Sequence, residues 1–210
     1  MGKGCSLSGK SRLVVMASGS GSNLQAIIHA CADDDLPAEV VAVISDHEDA
    51  YALERARTAG IPARTQTWAQ YRLKEQDREK YDADLAKLAS SFQPDLIILA
   101  GWMRLLSMAF LSHFPMRVIN LHPALPGTFP GTHAIERAFK AYQAGEISET
   151  GVMVHFVPDE GVDDGPLIAT QIVPIHDRDT LQTLTERIHQ VEHKLLVNAI
   201  KEVVHTSLGA

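Results

Sequence analysis

The fold is decided by the stretch Leu13-Val14-Val15-Met16-Ala17-Ser18-Gly19-Ser20-Gly21-Ser22-Asn23-Leu24. It opens with an uninterrupted apolar run, which is typical of a strand buried on both faces of a parallel sheet. Small and polar residues follow, and from Asn23 to Ala32 apolar residues recur at helical spacing. We therefore expect a strand, a tight glycine-rich turn and a helix, which together form the first unit of an α/β domain.

The same alternation continues through the first half of the chain. Short apolar runs predict further strands at Val40–Ile44, Leu96–Ala100 and Val118–Leu121, and helical spacing predicts helices at Asn23–Ala32, Ala50–Ala59 and Arg78–Phe92. Because strand-helix-strand repeats are joined by right-handed crossovers, this order predicts a doubly wound, mostly parallel sheet.

The second half of the chain predicts a different arrangement. A proline-rich loop, 122–131, precedes a predicted helix at Thr132–Ala144. Two predicted strands, Val152–Val157 and Leu167–Val173, are joined by a short acidic turn, which suits an antiparallel pair and is too short for a parallel crossover. Apolar spacing then predicts a long C-terminal helix over Thr180–Val204. Residues 1–11 are expected to be a disordered leader, and residues 12–210 a single domain.

Composition limits the functions that the chain can serve. Of its 210 residues, 45% are hydrophobic and 21% are charged, as in ordinary globular domains. The formal net charge of −7 argues against a nucleic-acid partner, so small-molecule substrates are expected. The charge-free stretch 13–32 is interrupted by small and polar residues, which argues against a membrane span. Two cysteines are too few for a disulfide framework and favour a cytoplasmic location. Whether the chain forms a homodimer is left open.

Two patterns near the N-terminus are interpreted as coincidences. Residues Gly4 to Ser11 match the P-loop pattern, and residues Met1 to Ser6 match the N-myristoylation pattern. A P-loop requires a helix directly after it, but the residues that follow here, 12–17, are typical of a strand. A single acyl chain binds membranes only weakly, and no polybasic or amphipathic segment accompanies the second pattern.

Candidate phosphate-binding residues lie where the first predicted strand passes into the first helix: Gly19, Ser20, Gly21, Ser22 and Asn23. A helix N-terminus offers free amides and the positive end of the helix dipole to an anion. Glycine lets the backbone approach a phosphate closely, and serine and asparagine add side-chain donors. The motif lacks the third glycine of the dinucleotide-binding fingerprint, since Leu24 stands in its place.

Candidate catalytic residues follow the last predicted parallel strand. Asn120 and His122 are two residues apart in an extended segment, so their side chains should point to the same side. Acyl transfer needs such a pair, because a carboxamide can donate to a developing oxyanion and an imidazole can handle a proton. Pro123 favours an extended conformation at His122. A carboxylate should orient the imidazole, and we favour Asp163 over its neighbour Asp164.

Several motifs occur together in an order that resembles one enzyme family. They are S-G-S-G-S-N-L at 18–24, A-G-W-M-R-L-L at 100–106, N-L-H-P at 120–123, F-P-G at 129–131, V-H-F-V at 154–157 and D-D-G-P at 163–166. Together they resemble the phosphoribosylglycinamide formyltransferases, which are folate-dependent enzymes of purine synthesis. The resemblance spans about residues 12–205. It implies a formyltransferase-like variant of the Rossmann fold and transfer of a formyl group from 10-formyltetrahydrofolate to the amine of glycinamide ribonucleotide, without a metal ion.

The resemblance also implies roles for individual residues. The family's catalytic residues match Asn120, His122 and Asp163, and its phosphate loop matches Gly19, Gly21, Ser22 and Asn23. The implied folate-binding set is Arg78, Met103, Arg104, Leu105, Leu106, Asn120 and His155. Glu192 matches a glutamate that contacts the sugar of the ribonucleotide. Ala124-Leu125-Pro126-Gly127 replaces the family's usual Ser-Leu-Leu-Pro run, so the path of the loop after His122 is left open.

Four alternative functions follow from the same residues. Formyltetrahydrofolate hydrolase and methionyl-tRNA formyltransferase share the chemistry of the catalytic candidates, but they are expected to carry an N-terminal regulatory domain and a basic C-terminal domain, respectively. Residues 189–193 match the H-x-x-E-H zinc-peptidase pattern, which needs a further ligand downstream. A nucleotide-binding regulatory module would explain the glycine loop and leave Asn120, His122 and Asp163 unexplained.

Overall fold

A computed structural model describes residues 9–72 and 77–208 of the chain. Residues 1–8 of the predicted leader, with most of both N-terminal patterns, lie outside this description. The first strand begins at Ser11, close to the predicted start of the domain.

In the described ranges, strands and helices alternate as the sequence predicts. The strands are β1 (Ser11–Met16), β2 (Ala38–Ser45), β3 (Ala63–Thr65), β4 (Leu96–Leu99), β5 (Val118–His122), β6 (Glu149–Phe156) and β7 (Leu167–Pro174). The helices are α1 (Ser22–Ala32), α2 (Tyr51–Thr58), α3 (Trp68–Arg72), α4 (Arg78–Ser90), α5 (Met108–Leu111), α6 (Ala134–Gln143) and α7 (Leu181–Leu208). The sequence did not predict α3 and α5, because elements of one turn are too short to show a helical period.

The strands of the described residues form one sheet of seven, in the order β3-β2-β1-β4-β5-β6-β7. The strands from β3 to β5 run parallel, whereas β6 runs antiparallel to β5 and β7 antiparallel to β6. The predicted mostly parallel sheet, antiparallel strand pair and long C-terminal helix are therefore confirmed.

Both faces of the sheet are covered, and the sequence of β1 shows how. Leu13 and Val15 pack into a core layer that includes residues of α1 and α7, while Val14 and Met16 pack into a second layer with residues of α4 and α5. All four side chains are fully buried. Because alternate residues of a strand point to opposite faces, only a strand without polar positions can serve two cores.

The apolar stretch after β4 also belongs to the core. Trp102, Phe110, Leu111 and Phe114 are buried in the second layer, whereas Met108 is partly exposed. Burial therefore accounts for most of this stretch without a partner subunit. None of the helices in the described ranges combines the length and the apolar character needed to span a lipid bilayer.

Candidate active site

The candidate site lies where the strand order of the sheet reverses. From β1 the chain continues outward to β2 and β3 on one side, while β4 and β5 lie on the other. Such a reversal opens a crevice at the carboxyl ends of the strands. A cleft of about 840 Å³ occupies this position, and residues 18–23, 99–106, 120–123 and 159–163 contribute to its lining.

The glycine loop after β1 is held open towards this cleft. Gly21 has a φ of 69° and directly precedes α1, and a Cβ atom on it would lie 2.8 Å from Cα of Ala52. Only glycine fits such a position without displacement of α2. The carbonyl oxygens of Gly19 and Ser20 accept hydrogen bonds from Ala52 N at 3.0 Å and Arg55 Nε at 2.8 Å. The first amides of α1 are therefore presented to the cleft by a loop anchored on α2.

Asn23 and Glu192 connect this loop with the C-terminal helix. Asn23 Nδ2 donates to Glu192 Oε2 at 3.1 Å, and both residues are buried at the edge of the cleft. Burial raises the pKa of the Glu192 carboxyl above 4.5, against the opposing effects of the Asn23 hydrogen bond and His189. A buried carboxylate that retains free acceptor positions is suited to bind ligand hydroxyl groups.

β5 includes both Asn120 and His122, because it extends one residue beyond the predicted strand, and the two residues share one face of it. The antiparallel partner of Asn120 on β6 is His155, whose Nε2 lies 3.2 Å from Asn120 Nδ2. His155 Nδ1 lies 2.9 Å from Phe156 O, and because a carbonyl oxygen only accepts, Nδ1 carries a proton. Strand pairing therefore brings a second histidine, which is buried, next to the carboxamide.

Asp163 is the point at which these side chains converge. Its Oδ1 accepts from Asn120 Nδ2 at 3.0 Å and lies 3.5 Å from His155 Nε2. Its Oδ2 accepts from Gly131 N at 2.7 Å and lies 3.2 Å from His122 Nδ1. Burial opposes ionisation of Asp163, but its contacts with His155, the Gly131 amide and His122 together outweigh burial and hold its pKa below 3.8. The carboxylate is therefore ionised at neutral pH.

His122 lies between two hydrogen-bond acceptors. Its Nδ1 faces Asp163, and its Nε2 lies 3.0 Å from Phe129 O. Burial lowers the pKa of His122 below 6.5, despite the opposing effects of Asp163 and the Phe129 carbonyl. A neutral imidazole has one N–H and can donate to only one of the two acceptors. The nitrogen that lacks a proton can therefore gain one when charge develops in the cleft, and each N–H then has an acceptor.

The amide donors of Asn120 are already engaged in this structure. Nδ2 donates to Asp163 Oδ1 and lies beside His155 Nε2. An oxyanion can use Asn120 only by replacing one of these two partners. The predicted oxyanion role thus requires a local exchange of hydrogen bonds when substrate binds.

Asp163 and Asp164 are placed differently, although they are adjacent. Asp163 adopts a φ of 56° and turns its carboxylate towards β5. The Asp164 carboxylate stands over its own loop, since a Cβ atom on Gly161 would lie 2.2 Å from Asp164 Oδ1. Geometry therefore favours Asp163 as the carboxylate that contacts His122.

The segment 103–106 forms an apolar wall of the cleft. Met103 is 66% exposed and Leu105 is 50% exposed, and both line the cleft, whereas Leu106 is buried. Met103 N donates to Ser18 Oγ at 2.9 Å, which ties this wall to the glycine loop. The Arg104 guanidinium lies over the rings of Trp68 and Tyr81, at 5.1 and 5.2 Å from their centres.

Arg78 takes a different position from the rest of the implied folate-binding set. It is the first residue of α4, and its Nη2 donates to Leu105 O at 2.6 Å. Arg78 does not contribute to the cleft lining, whereas His155 does. In this structure Arg78 therefore contacts the wall through the Leu105 carbonyl and does not reach the cleft.

Sequence reasoning missed several groups that complete the site. The Gly131 amide and the Phe129 carbonyl belong to a motif that was noticed, but nothing in the sequence shows which backbone atoms meet which side chains. Glu160 accepts from Met108 N at 2.8 Å and so joins the acidic loop to α5. His47 and His189 also line the cleft. The only signals for them were the position of His47 just after a predicted strand and that of His189 in the H-x-x-E-H pattern.

The zinc-peptidase interpretation finds no support in the described ranges. Glu192, the glutamate of that pattern, is hydrogen-bonded to Asn23. No group of three or more His, Cys, Asp or Glu side chains in residues 9–72 and 77–208 is arranged to hold a metal ion.

Comparison with known proteins gives one consistent result. A family model described as formyl transferase matches residues 11–200. Phosphoribosylglycinamide formyltransferase from Schizosaccharomyces pombe is 48% identical over 200 residues, which cover 91% of this chain and 96% of the relative. The protein of the same name from Escherichia coli is 42% identical over 183 residues, covering 87% of this chain and 82% of the relative.

A solved structure agrees with these relatives. The crystal structure of glycinamide ribonucleotide transformylase 1 from Symbiobacterium toebii superimposes with a TM-score of 0.86 at 41% identity, covering 94% of this chain and 89% of that chain. At this identity the likeness extends beyond the general α/β architecture.

Proposed function

Since the chain belongs to the formyl transferase family, as its motifs indicated, we propose that it transfers a formyl group from 10-formyltetrahydrofolate to the amine of glycinamide ribonucleotide. One observation carries the proposal. Asn120, His122 and Asp163 lie together in one cleft, and a glycine loop suited to a phosphate group lines the same cleft. The first group suits acyl transfer, and the loop suits the phosphate of a ribonucleotide.

The ribonucleotide is proposed to bind between α1 and α7. The amides of residues 19–23 and the side chain of Ser22 would receive its phosphate, and the dipole of α1 favours this charge. Glu192 would accept hydrogen bonds from ribose hydroxyl groups. Because Asn23 joins Glu192 to the glycine loop, the binding positions for the phosphate and the sugar would be held at a fixed spacing.

The folate co-substrate is proposed to bind along the 103–106 wall. The exposed Met103 and Leu105 side chains offer an apolar surface to a flat ring, and adjacent backbone groups can bond its polar edge. Arg78 would act here by holding Leu105 O in place. The chemistry of this wall fits a folate, and the wall follows β4, whose Leu99 pairs with Asn120 of β5.

In the proposed reaction the amine nitrogen bonds to the formyl carbon, and the carbonyl electron pair moves to oxygen. Asn120 and His122 would donate to that oxygen, with Asn120 exchanging its Asp163 or His155 partner for it and His122 Nε2 exchanging Phe129 O for it. Collapse of the adduct breaks the bond between the formyl carbon and the folate nitrogen. The proton lost by the amine ends on that nitrogen, so the transfer needs no oxidant and no net acid.

Asp163 is proposed to manage this proton. Because the carboxylate is ionised at neutral pH, it can relay the proton of the attacking amine towards the folate nitrogen, directly or through water. It also fixes the orientation of His122. Holding both substrates in one cleft turns a bimolecular step into an effectively unimolecular one, which supplies much of the acceleration.

A steady-state assay with both substrates tests this function. We expect tetrahydrofolate and the formylated ribonucleotide to appear in equal amounts, as followed by absorbance and mass spectrometry. Formate release without the ribonucleotide would favour formyltetrahydrofolate hydrolase instead. Glycinamide riboside, which lacks the phosphate, is the matched control substrate, and its kcat/KM should be much lower if the glycine loop binds phosphate.

Four further properties are predicted or left open by the sequence. A cytoplasmic location and the absence of nucleic-acid and membrane partners follow from composition. A homodimer is left open, and the mass of the purified protein in solution would decide it. We propose no metal requirement, which activity assays with a chelator would test.

A further inference from the structure

Arg137 binds a turn that precedes its own helix. From α6, its Nη2 donates to the carbonyl oxygens of Phe129 and Pro130, at 2.5 Å each. Its guanidinium carbon also lies 5.9 Å from the centre of the Phe129 ring. Hydrogen bonds from a charged donor are stronger than those between neutral groups. One side chain therefore holds two successive carbonyl groups of the Phe129–Gly131 turn.

The Phe129–Gly131 turn contacts both titratable catalytic candidates. Phe129 O lies 3.0 Å from His122 Nε2, and Gly131 N donates to Asp163 Oδ2 at 2.7 Å. A displacement of this turn would therefore change an acceptor of His122 and a donor of Asp163 together. Arg137 itself does not line the cleft.

The conformation of the turn has to be imposed by its surroundings. Phe129 has a φ of 47°, which bulky residues rarely adopt. The Arg137 hydrogen bonds are contacts that can impose it. We propose that Arg137 is a positioning residue for formyl transfer, which sets the Phe129–Gly131 turn and, through it, the relative placement of His122 and Asp163. This inference rests on the proposed function of the site.

Several groups act on the pKa of His122. Burial, which lowers this pKa, has the largest effect, and the others are Asp163, the Phe129 carbonyl, His155 on β6 and Arg137 on α6. The charge of Arg137 lowers the pKa, whereas the Phe129 contact raises it. Loss of Arg137 therefore acts on this pKa in opposing directions, and the Gly131 amide is the direct readout of the turn.

The substitution Arg137→Met tests the proposal, because methionine is apolar and of similar length but has no N–H groups to donate to the two carbonyl oxygens. We expect kcat to fall ~10–100-fold, as small misplacements of catalytic groups do. The KM values should stay within about threefold of the parent. In NMR spectra of the free protein, the Gly131 amide should lose the downfield shift of a carboxylate-bound N–H.

Arg117→Met is the matched control. Arg117 also donates to a backbone carbonyl, His113 O at 2.9 Å, and lies 5.5 Å from the ring of Phe114. It precedes β5 at the end of the sheet away from the cleft, so kcat and the Gly131 amide should not change. Arg137→Lys keeps the charge and can reach one carbonyl, and its kcat should fall between those of the parent and Arg137→Met.

The outcomes are distinguishable. Parent-like kcat or a parent-like Gly131 amide in folded Arg137→Met would each overturn the proposal. If Arg137→Met does not fold, the same measurements on Arg137→Lys decide. Absence of formyl transfer in the parent would refute the proposed function, while the Gly131 amide of the variants would still show whether Arg137 holds the turn.

Discussion

Replacement of Asp163 by asparagine probes the centre of the candidate site with the least structural disturbance. Asparagine has nearly the same shape as aspartate and tolerates the left-handed φ of 56° that the backbone adopts here. The variant therefore removes the charge and one acceptor oxygen while the loop keeps its conformation. An alanine at this position would add backbone strain and confuse the two effects.

The expected magnitude follows from the contacts of the carboxylate. Gly131 N at 2.7 Å and Asn120 Nδ2 at 3.0 Å donate to different oxygens, and an asparagine amide can accept only one of them. One charge-assisted bond of about 1.5–3 kcal/mol is therefore lost, and the new NH₂ faces a donor. Loss of the proposed proton acceptor costs a further factor of about 10²–10⁴ in rate. We expect kcat to fall at least about 10²-fold.

The assay is steady-state formyl transfer over a range of pH, with thermal unfolding of each variant. Asp164→Asn is the matched control, because that carboxylate is directed at its own loop, and it should stay within about threefold of the parent. An Asp163→Asn variant that keeps more than about a tenth of the parent kcat would refute the role of Asp163. An equal loss in Asp164→Asn would refute the choice between the two residues.

Stability provides a second readout with a defined sign. The folded-state pKa of Asp163 is lowered, so its contribution is complete above the ordinary value of 3.8 and is lost as pH falls through the folded-state value. The difference in unfolding free energy between the parent and Asp163→Asn should therefore shrink in acid. A difference that grows as pH falls would contradict the low pKa.

Three further predictions concern other parts of the cleft. Asn120→Ala should lower kcat by about 10²-fold or more, and a kcat near that of the parent in the transfer assay would remove Asn120 from the mechanism. Glu192 has a raised pKa, so its stabilising contribution is present below 4.5 and is lost as pH rises through the folded-state value. Glu192→Gln should therefore raise the melting temperature at neutral pH while it raises KM for the ribonucleotide; a lower melting temperature would argue against a costly buried charge. Gly21→Ala should lower the melting temperature and raise the same KM more than Gly60→Ala, because both glycines have a φ near 70° but only Gly21 meets a neighbouring helix, at Ala52. Equal effects of the two substitutions would show that backbone strain, and not the contact, matters.

Much of the fold could be predicted because it depends on neighbours in sequence. The run 13–17 has no polar position, which is the requirement for a strand between two core layers, and the structure buries it on both faces. The acidic turn before β7 is too short for a crossover, and β6 and β7 are indeed antiparallel. The helices α3 and α5 escaped prediction because a single turn shows no period.

The site could be predicted only in part. The two-residue spacing of Asn120 and His122 indicated that they share one face of a strand, and the motif order indicated the family. The choice of Asp163 over Asp164 rested on the position of a motif, while in the structure the reason is a left-handed backbone that directs one carboxylate towards β5. The position of Arg78 behind Leu105, away from the cleft lining, was not foreseen.

By itself, the sequence determined the alternation of strands and helices, the glycine turn and the residue types available for acyl transfer, because these depend on side-chain character and spacing. Only the tertiary structure decided that the Phe129 carbonyl faces His122, that the Gly131 amide meets Asp163 and that Arg137 holds the turn between them. The physical reason is that every residue carries a similar backbone carbonyl. Which of them reaches a given side chain depends on the path of irregular loops, and that path is set by contacts between residues far apart in the chain.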